Sequence, residues 1–123
     1  MKGHHFLQRL RFAWDGLTAA WRQEQSLRTH AAATVCVLAV AAWVGAPALW
    51  WAVLCLTIGL VVAAELLNTA VEALADHLHP ERHPAIKLTK DVAAGAVLVA
   101  SVTALVVGIA FVLDQVWPYL RAH

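Results

Sequence analysis

At 123 residues the chain is of single-domain length. Its composition is 61% hydrophobic and 14% charged, where soluble domains sit nearer roughly 45–50% and about 25%, so an ordinary water-soluble fold is disfavoured and the bilayer is the expected solvent. The net charge of +1 excludes no class, but the only two cysteines, Cys36 and Cys55, both in apolar runs, leave no disulfide framework or four-thiolate metal site.

The first element expected is an amphipathic helix over about residues 5–25. Phe6, Leu10, Ala13, Trp14, Leu17 and Trp21 recur at three- and four-residue steps, while Arg9, Arg11, Asp15, Thr18 and Arg22 take the other side. That pattern suits a helix lying in the membrane surface, and the alternative is an ordinary amphipathic core helix. It is not the short basic leader of a cleavable signal peptide.

From Ala31 to Ala64 there are 34 positions without a charge, too many for one span of about 20 residues. Gly45-Ala46-Pro47 interrupts the run, since proline lacks an N–H and disfavours helix before it. The expected spans are therefore about 27–44 and about 48–75, with a third over about 90–113. Trp50, Trp51 and Trp117 fall near span ends, as interfacial tryptophans do. Eight of the nine Lys and Arg residues lie before or at the start of the first span, or between the second span and the start of the third, and only Arg121 lies beyond the last. The bias predicts a cytoplasmic N-terminus and 76–91 loop and an external C-terminus.

The second span ends on a polar stripe. Glu65, Asn68, Glu72 and Asp76, spaced by three or four residues, share one helical face. Carboxylates at membrane depth are costly unless paired or wet, and so mark function by default. A structural stripe pairing with a neighbouring helix is the plainer alternative. On the same predicted side lie His77, His79, Glu81, Arg82, His83, Lys87, Lys90 and Asp91, and also Arg22, Glu24, Arg28 and His30. Carboxylates beside Lys and Arg at a water boundary suit a Mg²⁺-bound phosphate. The loop histidines have no standard zinc spacing, and Pro80 and Pro84 bend the loop. Small residues at Ala93, Ala94, Gly95 and Ala96 admit a neighbouring helix or a lipid chain, with plain packing the simpler reading. The chain has no P-loop, no kinase glycine loop and no H-R-D set.

E-L-L-N-T-A-V-E at 65–72, Asp76, K-D-V-A-A-G-A-V at 90–97, G-L-T-A-A-W-R-Q-E-Q-S-L-R-T-H at 16–30 and E-R-H at 81–83 resemble the prokaryotic diacylglycerol kinase and undecaprenol kinase family, over about residues 6–113. The resemblance implies an all-α membrane protein, with an interfacial N-terminal helix and three transmembrane helices, forming a homotrimer. It implies Mg²⁺-dependent transfer of the ATP γ-phosphoryl group to a lipid hydroxyl, that of diacylglycerol or of undecaprenol. By position, Glu65 would be the general base, with Asn68 orienting its surroundings. Glu24 and Glu72 would hold the metal and help bind ATP. Lys90 would contact phosphate, and Phe12, Glu81, His83 and Asp91 would line the nucleotide end. Trp14, Trp21, Ser26, Arg28, Trp43 and Ala94 would flank the lipid. Phe12 stands where some members carry Tyr. The expected partners are the membrane, the lipid and ATP, with no nucleic acid. The competing classes are a small proton-coupled transporter, which expects a deep, isolated Glu and does not need Glu24, Lys90-Asp91 or a charged loop on one side, and a non-catalytic scaffold, which needs no aligned acid stripe.

Overall fold

The computed structural model describes Gly3 and residues 5–123; Lys2, counted in the charge asymmetry, lies outside the described residues. All regular elements among the described residues are helical: α1 Phe6–Gln23, α2 Gln25–Val44, α3 Ala48–Leu78, α4 Pro84–Phe111, a π-helical turn Val112–Val116, and α5 Trp117–Ala122.

Helix α1 starts where the His5 backbone N–H donates to Gln8 Oε1 at 3.2 Å, and it ends at Glu24, whose backbone is extended. The last carbonyls of a helix lack partners inside it. Here Arg28 supplies them, its Nη1 donating to Trp21 O at 2.7 Å and Arg22 O at 3.2 Å. A single non-helical residue thus separates α1 from α2.

The α2–α3 turn is built from Gly45, Ala46 and Pro47. Gly45 is left-handed at φ 69°, its N–H donates to Ala42 O, and the Ala46 N–H donates to Ala41 O at 3.0 Å. This is a Schellman closure, and a residue without a Cβ adopts it with least strain. Beneath it Ala41, Leu54 and Phe111 form the buried core, flanked by Trp50, Trp51 and Val107. Ala41 is 0% exposed, which marks the close approach of the helices there.

Helix α3, with 31 residues, is about 46 Å long and outruns a hydrocarbon core of about 30 Å. Helix α4 begins at Pro84 instead of near Lys90. His83 Nδ1 accepts the Ala85 N–H at 3.1 Å, and Pro84 takes the first helical position, where its missing N–H costs nothing. The proline read as a loop bend is therefore a helix start. Asp76 and His77 belong to α3, and Lys87, Lys90 and Asp91 to α4.

The chain also stays helical beyond residue 113. Pro118 cannot donate to the carbonyl four residues back, and the preceding turn widens to π geometry. Trp50 Nε1 donates to Asp114 Oδ2 at 2.7 Å and fastens this turn to α3. Among the described residues three helices are long and apolar enough to cross a membrane, and their outer faces carry exposed leucines and valines such as Leu56, 79% exposed.

Candidate active site at the polar end of the spans

The start of α2, the end of α3 and the start of α4 meet at one end of the molecule. Each member of the α3 stripe finds a different partner there. Glu65 is only 6% exposed. Ser26 Oγ on α2 donates to its Oε2 at 2.7 Å, and His30 Nδ1, one turn on, lies 3.1 Å from its Oε1. That second contact has ion-pair distance, but the ring is off the line of a hydrogen bond, so Nδ1 is left without one. Thr69 Oγ1 donates to the Glu65 carbonyl at 2.9 Å.

One turn along, Asn68 Nδ2 donates to Glu72 Oε1 over a long 3.4 Å, while Asn68 Oδ1 is buried without a hydrogen-bond partner. In the last turn Asp76 pairs with Lys90 on α4. Lys87 and Asp91 pair along α4 at 2.6 Å. The stripe is thus one face in sequence and three separate contacts in space. Two of its carboxylates are tied to neighbouring helices, as the structural alternative expected.

Beyond it a charged pocket of about 650 Å³ is lined by His79, Glu81, Arg82, His83, Lys87, Lys90 and Asp91. It brings together four residues expected at the nucleotide end: Glu81, His83, Lys90 and Asp91. Glu24, Glu72 and Phe12 are not on its wall. Glu24 sits half-buried in the α1–α2 break, and Phe12 is exposed on α1. Among the described residues no three His, Cys, Asp or Glu side chains gather as a metal cluster.

The residues expected to flank lipid separate. Trp14 and Trp21 stand exposed on α1. Ser26 is on Glu65 and Arg28 on the end of α1, as described above. Trp43 lies at the other end of α2, about 26 Å from Ser26 along the helix, packed edge-to-face on Tyr119. Ala94 is exposed, while its neighbours Ala93 and Ala96 line an apolar groove between α3 and α4 that reaches Asn68. The sequence places His30 on the side of the stripe, among groups that can partner its acids, without assigning it to Glu65. Its i,i+4 spacing from Ser26 was the available signal, because that spacing puts both on one face.

Fold and site together define an all-helical membrane protein with a buried carboxylate and a charged pocket at one end of its spans. Residues 11–112 match the family described as prokaryotic diacylglycerol kinase. The chain belongs to that family. It is 39% identical over 105 residues to a diacylglycerol kinase of Synechocystis, covering 85% of this chain but only 60% of the relative's length. It is 33% identical over 95 residues to the diacylglycerol kinase of Escherichia coli K12, covering 77% of this chain and 78% of that one. It is 34% identical over 112 residues to the undecaprenol kinase of Bacillus subtilis, covering 91% of each chain.

Proposed function

We propose that the protein is a membrane lipid kinase that transfers the γ-phosphoryl group of ATP to the hydroxyl of diacylglycerol, giving phosphatidate. The observation that carries this reading is the buried Glu65 at the polar end of the apolar helices, on the same end as the charged pocket. A lipid hydroxyl arrives from the bilayer and a nucleotide from water, so the reaction needs its base at their boundary. Membership of a lipid kinase family favours it over the transporter and scaffold readings.

In this mechanism Glu65 accepts the hydroxyl proton as the lipid oxygen bonds to the γ-phosphorus and the bond to the bridging oxygen of ADP breaks. Phosphoryl transfer asks mainly for positioning and charge neutralisation. Lys90, released from Asp76 or shared with it, meets the phosphates, while Asp91, Glu81, His83 and Phe12 hold the nucleotide. Glu24 and Glu72 would hold Mg²⁺, which when bound supplies positive charge at the phosphates. The donor set fits a hard cation, because carboxylate oxygens suit it and the unpartnered Asn68 Oδ1 belongs to the residue that touches Glu72. Trp14, Trp21, Arg28, Trp43 and Ala94 belong to the segments that meet lipid.

Helix α1 lies in the membrane surface, the shared polar end faces the cytoplasm, and Arg121 lies outside. The working form is a homotrimer in the bacterial inner membrane, since three helices are too few to enclose a nucleotide.

A second acceptor, undecaprenol, is favoured by the match to the Bacillus subtilis relative over 91% of both chains. The deciding experiment offers γ-labelled ATP and Mg²⁺ to purified protein in micelles holding either lipid. Labelled phosphatidate is the expected product. Label on undecaprenol instead replaces the acceptor, and label on neither, from folded protein, overturns the kinase reading.

A further inference from the structure

We propose that Ser26 and His30 form a two-point clamp that positions the Glu65 carboxylate for proton abstraction. The assignment rests on the lipid kinase reading of Glu65 and adds two positioning residues to it. The two side chains stand one turn apart on α2, and each addresses a different oxygen of one carboxylate on α3: Ser26 Oγ takes Oε2 at 2.7 Å, and His30 Nδ1 faces Oε1 at 3.1 Å. A carboxylate accepts several hydrogen bonds. One donor on each oxygen stops rotation about the terminal torsion of the side chain and leaves a lone pair on each for the lipid hydroxyl. Terminal carboxylate torsions are otherwise broad, so without the clamp the base would sample many orientations.

The two points differ. The Ser26 contact is short and complete. The His30 contact is at distance but out of line, and no hydrogen bond reaches Nδ1. Catalytic hydrogen bonds are often poorly aligned without substrate and tighten when it binds. Turning the His30 ring so that Nδ1–H points at Oε1 would close this half of the clamp as the acceptor arrives. The His30 side chain is 32% exposed against 8% for Glu65, and it lines an apolar groove between α2, α3 and α4 with Thr34, Thr57, Val61 and Ser101. It therefore stands between the base and the apolar interior. In the reaction Glu65 gains the hydroxyl proton as the new oxygen–phosphorus bond forms, and the clamp residues exchange no proton.

The test compares Ser26→Ala, His30→Ala and His30→Gln with wild type, measuring kcat and the KM for ATP separately in micelles. A hydrogen bond to a charged group contributes about 1.5–3 kcal/mol, so each alanine variant is expected to lose roughly tenfold or more in kcat. The KM for ATP stays within about twofold of wild type, because uniform binding is not what the clamp supplies. His30→Gln, which keeps a donor, recovers most of the loss, and added imidazole partly restores His30→Ala. Full kcat in His30→Ala overturns the clamp, as does a His30→Gln variant as slow as His30→Ala.

A readout that needs no turnover separates this from the kinase reading. In protein carrying ¹⁵N-labelled histidine, the His30 ring signals, assigned by their loss in His30→Gln, are expected to move on Glu65→Gln. Signals that do not move overturn the clamp whether or not the wild type transfers phosphate. An inactive wild type with moving signals overturns only the kinase reading.

Discussion

The two ends of the helical bundle are held by different physics. At the turn end, Gly45-Ala46-Pro47 joins α2 to α3 over a dry core of Ala41, Leu54 and Phe111. Its contacts are mostly apolar and close, and they draw α2, α3 and α4 together from distant parts of the chain, with one hydrogen bond, Trp50 to Asp114, among them. At the polar end, Ser26 reaches Glu65 across 39 positions and Lys90 reaches Asp76 across 14. Those contacts are hydrogen bonds and ion pairs beside an open charged pocket. The apolar packing thus lies at the turn end, and the polar end is where the proposed chemistry would take place. Polar groups at one end can be changed without emptying the core at the other.

Substitutions at the two ends should separate rate from stability. The largest effect is expected for Glu65→Gln. Removing a general base lowers transfer by about 10²- to 10⁴-fold. Circular dichroism and ATP binding should stay near wild type, since Gln keeps the shape and can still accept from Ser26. Turnover at the wild-type rate would show that the polar end is not the reacting end.

Next comes Ala41→Leu. The site is fully buried, and overpacking a dense core costs about 1–3 kcal/mol. Unfolding in micelles should reveal that loss, while the rate per folded molecule changes little. A large fall in rate at unchanged stability would mean the two ends are coupled.

Gly45→Ala should have the smallest effect. Beyond its own and adjacent residues nothing lies within 4 Å of the place a Cβ would take, so only the left-handed backbone resists, at roughly 1–2 kcal/mol. A stability unchanged from wild type would remove the turn from the list of what holds this end.

Much of this contrast can be read along the chain. Hydropathy separates three spans, the glycine and proline between the first two mark the turn, and the three- and four-residue steps from Glu65 to Asp76 put the stripe on one face. Glu65, Asn68, Glu72, Lys90 and Asp91 were all named from motif and spacing. Partners were not. Arg28 caps α1, a contact no spacing announces, because the break at Glu24 leaves two carbonyls within its reach. Ser26 meets Glu65, and so does His30, which the sequence places on the same side as the stripe without saying which acid it meets. Pro84 read as a bend because its ring excludes helix before it, and His83 then uses that boundary as a cap.

The sequence by itself determined the three apolar helices, the turn after Val44, the amphipathic pattern of residues 6–23 and the family. Each of these depends on composition, period or local dihedral preference, which a run of neighbours specifies. Only the tertiary structure decided that Glu65 faces α2 while Asp76 faces α4, and that Trp43 packs against Tyr119 at the far end of the bundle. A helical period tells which residues share a face. Which helix that face meets depends on the rotation and axial register of packed helices, which follow from side chains brought together from distant parts of the chain, such as Ala41, Leu54 and Phe111.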